Sequence, residues 1–406
     1  MRFSRVSLIL AAGSTIIPSV SAWGAVGHEI IATVAQMHLH PSVMPILCDI
    51  LHYKGNCHLA PVAAWADRIR GLPQYRWTGP LHYIGATDDY PSETCAFPGE
   101  RGWEGRRNIN VLSGIRNTTN TLEDYMGLRK AGLTTESDED AAQVALKFLI
   151  HFVGDMHMPL HLTGRDRGGN GIKVSFDKRV TNLHSLWDGL LIAKRIRTIP
   201  SNYTRPLPLP DVESHLRGTI YDPYIRRVVW EGITGKYEDE LDSWLTCPAE
   251  PSVQPLQTHW EQWLSWTFGR RIGSWIVGSH LTDGGLNTDD ETLCPYHWAA
   301  PIHALNCQIV FPKALDEPPY NHISFSRSTD DHACNSSNQS LEVHWLSRPR
   351  KNPYLELDTP QYSGVIEDAW IVEKLMSQGG IRLAAVLNWL FADMDDATRL
   401  NRTYIL

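Results

Sequence analysis

Two His/Asp pairs at helical spacing are the first sign of chemistry in this sequence. His151 and Asp155 are four residues apart, and so are His184 and Asp188. Residues at this spacing share one face of a helix. A buried carboxylate on such a face is costly unless it is paired or bound to a metal ion. His161 lies between the two pairs. Imidazole and carboxylate groups with no cysteine nearby are typical ligands of catalytic zinc.

Two upstream motifs carry side chains of the same kinds. AAWADRIR places Asp67 about one helical turn before Arg70, and GPLHYIG places Tyr83 directly after His82. Any single histidine of this chain is more readily explained as a satisfied core or surface residue. Several His/Asp pairs at matching spacing favour a metal centre instead.

The amino-terminal sequence predicts a secretory signal peptide over residues 1–22. Arg2 and Arg5 give a positive start, an apolar run follows, and small residues lead up to Ala22. This is the pattern of a cleaved leader. Cleavage would make Trp23 the first residue of the mature chain. Its free α-amine and its carbonyl oxygen could then chelate a metal ion, with His28 close behind in the sequence.

Charge alone argues against a nucleic-acid partner. Removing Arg2 and Arg5 lowers the basic count from 37 to 35 against 45 acidic residues, so the net charge changes from -8 to -10. Sequence-independent binding to nucleic acid normally needs a basic surface. Bound divalent cations would change the local sign, because a metal ion is often the largest charge in its site. No later stretch approaches the length of a membrane span, so a soluble, secreted protein is expected.

Hydrophobic periodicity predicts an all-α fold in a single domain over residues 23–406. The predicted helices are Gly27–Leu39, Ser42–Leu51, Ser137–His157 with Ser137 as its N-cap, one that carries Trp260, Trp263 and Trp266, and Ile371–Phe391. Ile172–Phe176 is predicted to form a short hairpin arm. The polar, proline-rich stretch over residues 312–360 is predicted to be a surface insertion.

Glycosylation sequons accompany the leader, which fits secretion. Their asparagines are Asn117, Asn202, Asn335, Asn338 and Asn401. The chain also has seven cysteines, which suggests disulfides and one thiol left over. No C-x-x-C pair occurs, so a cysteine-ligated zinc site is not expected.

Seven motifs together resemble one family. They are W-G-x-x-G-H from Trp23, W-A-D, L-H-[FY], H-F-x-G-D-x-H-x-P-L-H, G-G-N, N-L-H-x-x-W-D and G-G-I-R-L-A at Gly379–Ala384. Through them the chain resembles the secreted zinc-dependent single-strand nucleases of fungi and plants, the 3'-nucleotidase/nuclease family, along nearly the whole mature chain apart from the insertion. The resemblance implies an all-helical fold similar to that of zinc phospholipase C and a centre of three Zn2+ ions.

The resemblance also implies a role for each candidate ligand. One zinc ion would be held by Asp67, His82, His151 and Asp155, a second by His161, His184 and Asp188, and a third by the amine and carbonyl of Trp23 with His28 and Asp155. Asp67, Arg70 and Asp155 are the catalytic candidates. Asp155 would be shared by two ions that activate the attacking water, and Arg70 would stabilise the equatorial phosphate oxygens. The alternative for Arg70 is a structural partner of a carboxylate.

Tyr83 stands where the family has an aromatic residue against which an unstacked base can lie. Its alternative is a core tyrosine. Position 85 departs from the pattern, because the familiar fungal members have a base-contacting aspartate there and this chain has Gly85. Asp88 and Asp89 are candidates to replace that aspartate. His157, Asn170 and Asn182 are expected to support the ligands or to fix loops.

The resemblance implies a disulfide between Cys95 and Cys307. Spacing favours Cys247 with Cys294 and Cys48 with Cys57, which leaves Cys334 unpaired.

The predicted function is that of an extracellular endonuclease that hydrolyses single-stranded DNA and RNA to 5'-phosphate products and also acts on 3'-nucleotides. A monomer is the default. The nearest rival enzyme is a zinc phospholipase C, because that fold can carry a similar cluster. A rival of another class is a secreted zinc-binding protein without turnover.

Overall fold

The computed structural model describes residues 23–248, 289–290, 292–321 and 352–392 of the chain. Helices dominate these residues, and the sheet they contain has two strands. The all-α prediction is therefore confirmed. No helix within these ranges has the length and apolar character needed to cross a membrane.

The helices are numbered here in chain order. The α-helices are α1 Ala25–Met37, α2 Val43–Ile50, α3 Ala60–Ala63, α4 Trp65–Ile69, α5 Val111–Ala131, α6 Glu136–Met156, α7 Leu183–Ser185, α8 Leu191–Arg197, α9 Pro210–Ser214, α10 Asp222–Arg227, α11 Leu241–Leu245, α12 Pro295–Leu305, α13 Val365–Asp368 and α14 Ile371–Phe391. The 3₁₀ helices are Arg76–His82, Pro159–Leu162, Ser201–Thr204, Glu238–Glu240 and Lys313–Asp316. The π-helices are Leu186–Leu190, Val228–Lys236, Asn306–Val310 and Pro360–Gly364.

Four long helices build the core: α5 packs along α6, and α14 packs against α1. The contact between α1 and α14 depends on two glycines. A Cβ at Gly379 would lie 3.3 Å from the Ile31 side chain, and one at Gly380 would overlap the Val34 side chain. The G-G-I-R-L-A motif therefore permits close approach of the two helices. α14 has the bounds that the sequence predicts.

The start of α6 corrects one prediction. Thr135 is the N-cap, and the prediction of Ser137 is wrong. The Thr135 N–H donates to the Asp138 carboxylate over 2.8 Å, and the Asp138 N–H donates back to the Thr135 hydroxyl over 3.4 Å. This reciprocal capping box satisfies two amide groups that the helix itself cannot pair. The predicted helices that match α1 and α2 are confirmed to within two residues at each end.

The predicted hairpin arm is present. Strands β1 Lys173–Phe176 and β2 Arg179–Asn182 pair antiparallel, with Lys173 opposite Asn182 and Phe176 opposite Arg179. The loop residues Asp177 and Lys178 have φ values of 49° and 62°, as a two-residue hairpin turn of type I′ requires. The Asn182 side chain then accepts the Ser185 N–H over 2.6 Å and caps α7, so the arm leads directly into the segment that carries His184.

The structure contains disulfides between Cys48 and Cys57, Cys95 and Cys307, and Cys247 and Cys294. These are the three pairings that the sequence analysis expects. Three other expectations lie outside the described residues: the signal peptide, the helix of Trp260, Trp263 and Trp266, and the unpaired Cys334.

Both described flanks of the predicted insertion contact the helical body. Leu315 and Leu357 are buried. The Ser175 N–H donates to the Leu355 carbonyl and the Leu357 N–H donates to the Ser175 carbonyl, each over 2.8 Å. The insertion is therefore tied to β1 on its carboxyl side. Residues 322–351 lie outside the part of the chain that the structure describes.

Candidate metal centre

The pair His151 and Asp155 lies on the buried face of α6, beside Phe148 and Phe152. The His151 Nδ1–H donates to the Ala63 carbonyl over 2.7 Å, which directs Nε2 into the site. Nε2 lies 3.2 Å from Asp155 Oδ2. Fixing the tautomer through a backbone carbonyl is how proteins orient metal-binding imidazoles.

Asp67 and His82 complete the first group of side chains, which we call pocket one together with His151 and Asp155. His82 Nδ1 lies 2.9 Å from Asp155 Oδ2 and 3.1 Å from His151 Nε2. Asp67 Oδ1 lies 3.7 Å from His151 Nε2. Two imidazole nitrogens and two carboxylates converge on one point. A shared cation satisfies that arrangement, because lone pairs alone would repel one another.

His161, His184 and Asp188 form pocket two. His161 Nδ1–H donates to the His82 carbonyl over 2.5 Å, and His184 Nδ1–H donates to the Gly168 carbonyl over 2.6 Å. Both rings therefore present Nε2. His184 Nε2 lies 3.1 Å from Asp188 Oδ2. One ligand atom from each of the three residues lies within 4.8 Å of the other two, which is close enough to share one metal ion.

Pocket three lies where α1 begins. His28 Nε2 is 3.4 Å from Asp155 Oδ1, and its ring stacks on His151 at 3.9 Å between centroids. The Gly24 N–H donates to the Asp188 carbonyl over 2.9 Å, and Trp23 is fully buried. The backbone at Trp23 is therefore held beside pocket two, and Asp155 faces histidines of pockets one and three at the same time.

Buried polar atoms without hydrogen-bond partners test whether the three pockets fit metal ions. Within the described residues, no hydrogen bond reaches either carboxylate oxygen of Asp67 or of Asp188. The same is true of the two ring nitrogens of His28 and of Nε2 of His82. Buried carboxylate and imidazole groups are rarely left without partners. Carboxylate oxygens are acceptors, and so are imidazole nitrogens without a proton. Because these atoms point toward one another, the residues fit divalent cations.

The charge state of Asp155 also favours cation binding. Burial by itself raises the pKa of Asp155, but the facing imidazoles of His151 and His161 hold it well below its usual range. For His151, burial lowers the pKa while the carboxylates of Asp155 and Asp67 raise it to about 9. Asp155 therefore remains an anion in the interior, where it needs a positive partner.

The close contact between Gly154 and the His28 ring can be tested by substitution. A Cβ at Gly154 would lie 2.5 Å from His28 Nδ1. We expect Gly154→Ala to displace His28, to lower the content of bound metal, and to destabilise the fold by about 1–3 kcal/mol through overpacking. Gly127→Ala on the exposed face of α5 is the matched control, since no atom lies within 4 Å of its added Cβ.

Because alanine is the better helix former, Gly127→Ala should stabilise by about 0.5–1 kcal/mol. Thermal unfolding and metal analysis of both variants check this pair. Equal stabilisation by the two substitutions, with unchanged metal content, would contradict the described contact between Gly154 and His28.

Arg70 and Tyr83 lie at the exposed side of the centre. Arg70 Nη1 is 3.4 Å from Asp67 Oδ1, and about a third of the Arg70 side chain is exposed, at 32%. Arg70 therefore does contact a carboxylate, as its alternative explanation requires. Tyr83 follows His82 and is 52% exposed, so the core-tyrosine alternative is wrong.

Position 85 has room for glycine only. A Cβ there would lie 2.6 Å from the Gly164 backbone nitrogen. Asp89 is not available to act in its place, because its carboxylate accepts the Ala96 N–H over 3.0 Å and the Thr163 hydroxyl over 2.6 Å. Asp88 instead lies against Gly99.

Sequence reasoning missed several groups that position the ligands. The carbonyls of Ala63 and Gly168 carry no signal in a sequence, because every residue has one.

His157 behaves as a structural histidine: Nδ1–H donates to the Val153 carbonyl over 2.7 Å, and Nε2 accepts from Arg382 over 2.9 Å. This contact ties the end of α6 to α14.

The fold and the site together define an all-α protein with adjoining buried groups of histidine and aspartate that can hold metal ions. By distance the groups are His28 with Asp67 and His151, His82 with His151 and Asp155, and His161 with His184 and Asp188. A family model described as S1/P1 Nuclease matches residues 23–247. The chain therefore belongs to the S1/P1 nuclease family. The matched range contains all nine predicted metal-binding positions and ends before the motif at Gly379–Ala384.

Individual relatives show the same likeness. Endonuclease 2 of Arabidopsis thaliana is 30% identical over 234 residues, which cover 57% of this chain and 70% of that protein. Nuclease P1 of Penicillium citrinum is 37% identical over 174 residues, or 43% of this chain and 60% of that protein. Nuclease S1 of Aspergillus oryzae is 36% identical over 166 residues, or 41% of this chain and 53% of that protein.

Proposed function

We propose that this protein is a secreted zinc-dependent endonuclease that hydrolyses single-stranded DNA and RNA to 5'-phosphate products and also removes the phosphate of 3'-nucleotides. The observation that carries the proposal is the position of Asp155, a buried anion within 3.4 Å of His28 and 2.9 Å of His82. One carboxylate between two groups of imidazoles is suited to bridge two metal ions, which is the arrangement of hydrolytic two-metal sites.

Three Zn2+ ions would occupy the three pockets. Pocket one offers Asp67, His82, His151 and Asp155, pocket two offers His161, His184 and Asp188, and pocket three offers His28, Asp155 and the amine and carbonyl of Trp23. The family match beginning at residue 23 supports the start of the mature chain there. Zinc bound at these residues would activate a water molecule and neutralise charge on the phosphate.

The side chains around the centre have their own tasks in this proposal. Asp155 and Asp67 hold a fixed negative charge in the interior and so keep the cations in place. Arg70 would donate to a phosphate oxygen while it retains Asp67, because one guanidinium has five N–H donors. Tyr83 would present its exposed ring to a base that has left its strand. A base inside a duplex cannot reach this ring without unstacking, so single strands are favoured.

Several features support secretion. The three disulfides are typical of an oxidising compartment. Asn202 is an exposed sequon asparagine, whereas Asn117 is half-buried on α5 and its sequon residue Thr119 is buried. We therefore propose glycosylation at Asn202 before Asn117. Asn335, Asn338 and Asn401 lie outside the described residues and remain candidates. A monomer remains the proposed state.

One assay tests the reaction class. The secreted protein, with Trp23 confirmed as its first residue, is incubated with a single-stranded oligonucleotide, its duplex, a 3'-nucleotide and lecithin, with zinc or with a chelator. Zinc-dependent release of 5'-nucleotides, faster from the single strand, is expected. Hydrolysis of lecithin alone would instead indicate the phospholipase, and zinc binding without any hydrolysis would indicate the non-catalytic alternative.

A further inference from the structure

A short segment that the family motifs do not include lies next to Tyr83. The Thr87 N–H donates to the Gly102 carbonyl over 2.9 Å, and the Glu104 N–H donates to the Gly85 carbonyl over 2.8 Å. Gly102 and Gly105 have φ values of 72° and 80°, a conformation that glycine adopts without strain. Residues 102–105 are therefore held in a defined turn against the chain that follows Tyr83.

The carboxylate of Glu104 fills the space above two glycines. A Cβ at Gly85 would lie 3.1 Å from Glu104 Oε2, and a Cβ at Gly164 would overlap the same carboxylate. Glycine at both positions thus makes room for this side chain. In the described part of the protein, no hydrogen bond or ion pair engages the carboxylate. Its acceptor atoms are available to a ligand.

The backbone after Tyr83 brings the Glu104 carboxylate near the face of the chain from which the Tyr83 ring extends. Tyr83 has φ -150° and ψ 170°, and in an extended chain residues two apart point to the same face. A Cβ at Gly85 would meet the Gly164 backbone nitrogen at 2.6 Å and Glu104 Oε2 at 3.1 Å, so the carboxylate borders the face that positions 83 and 85 share. Ile84, between them, is buried. Residues two apart are separated by about 7 Å along a strand, which suits a base stacked on the ring with its edge toward the carboxylate.

We propose that Glu104 reads the Watson–Crick edge of the base that stacks on Tyr83, and that it selects guanine. The inference rests on the proposed nuclease function and names the specificity of that same site. An ionised carboxylate only accepts hydrogen bonds. Guanine has two adjacent N–H donors on this edge, at N1 and N2, and can form a bidentate pair with a carboxylate. Adenine, cytosine and uracil each place an acceptor beside their donor, which would face a carboxylate oxygen.

The surroundings of Glu104 strengthen such a pair. Burial and the nearby charge of Asp89 raise the pKa of Glu104, so its carboxylate lies in a partly desolvated place. Hydrogen bonds to an ionised group in such a place are stronger than those in open water. A bidentate side-chain pair with a base contributes about 1–3 kcal/mol of discrimination, which corresponds to roughly 5-fold to 150-fold preference.

The test uses the chain that starts at Trp23, loaded with zinc, and four 5'-nucleotides that differ only in the base. Binding is measured by calorimetry, and hydrolysis of the four corresponding 3'-nucleotides is measured in parallel. Guanine should bind at least about fivefold more tightly than the other three bases. Glu104→Gln should remove this preference and favour adenine and cytosine, because an amide donates to the ring nitrogen and accepts from the adjacent amino group of either base. In the hydrolysis assay the same loss of preference should appear in the kcat/KM ratios of the four 3'-nucleotides.

Glu100→Gln is the matched control, because Glu100 is exposed in the same segment and carries the same charge. It should leave all four affinities unchanged. Equal affinities for the four bases in the unmodified protein, or an equal loss for all of them in Glu104→Gln, would overturn the proposal while the nuclease function stands. Guanine-selective binding without hydrolysis would support the base site and contradict the nuclease function.

Discussion

Replacing Asp155 by asparagine is expected to lower nuclease activity by about a thousandfold or more. Asp155 Oδ2 lies 2.9 Å from His82 and 3.2 Å from His151, and Oδ1 lies 3.4 Å from His28. The amide keeps the shape of the carboxylate but removes its charge and one acceptor atom. Metal catalysis supplies several kcal/mol of transition-state stabilisation, and about 1.4 kcal/mol corresponds to a factor of ten in rate.

The zinc content of this variant is the decisive measurement. We expect Asp155→Asn to lose zinc from pockets one and three while pocket two, which does not use this residue, keeps its ion. Asp124→Asn on the exposed face of α5 is the control for loss of one carboxylate, and it should retain full zinc and full activity. An Asp155→Asn protein with all of its zinc and normal turnover would contradict the shared-ligand assignment.

The sequence predicts which side chains lie close together where both are on one helix. His151 and Asp155 share a face of α6 because helical spacing determines it, and the apolar residues of that face determine its burial. The same reasoning could not show that Asp155 also faces His28. That contact depends on the packing of α1 against α6 and on Gly154, which leaves room for the His28 ring.

The missed helix α5 has a physical explanation. Its sequence is rich in polar residues, with Asn117, Thr118, Thr119 and Asn120 in a row, and these residues favour turns over helices in isolation. Tertiary contacts with α6 outweigh this local preference. The helix is nevertheless bounded by two signals that a sequence can carry, the N-cap Asn110 and Gly132 at φ 70°.

The sequence around position 85 does not show which distant residue lies beside it in the fold. The departure at Gly85 is visible in the sequence, but its consequence depends on Glu104, which is brought there by a backbone pairing with residues 102–104. Asp88 and Asp89 are nearer in sequence, yet Asp89 is occupied by Thr163 and Ala96. Distance along the chain is thus a poor guide to which carboxylate lies beside position 85.

The net charge of the chain and the charge at the candidate metal centre also have to be considered separately. The chain is acidic overall, with a net charge of -8, which argues against a partner bound through a broad basic surface. Several of its acidic groups are used inside the metal centre, where Asp67, Asp155 and Asp188 are buried. Once divalent cations occupy those sites, the local field at the centre favours phosphate. Overall charge and substrate charge therefore need not be opposite.

An amino-terminal extension should have the second large effect. Adding Gly-Ser before Trp23 replaces the free α-amine by an amide, which is a poor metal ligand. The site tolerates little displacement, because Trp23 is fully buried and the Gly24 N–H is bonded to the Asp188 carbonyl over 2.9 Å. We expect zinc to fall from three ions to two per chain. Activity should fall by about a hundredfold or more, since even supporting groups of a metal site contribute 10-fold to 100-fold.

The chain extended before Trp23 can also serve as its own control. If a protease site directly precedes Trp23, cleavage should restore the third zinc ion and the activity together. Trp23→Phe with a free amine separates the two roles of this residue: it should keep three zinc ions and lose stability, because a buried ring shrinks. An extended chain that binds three zinc ions and cleaves single strands at the normal rate would show that the amine is not a ligand. Joint recovery on cleavage would mean that removal of the leader creates the active site.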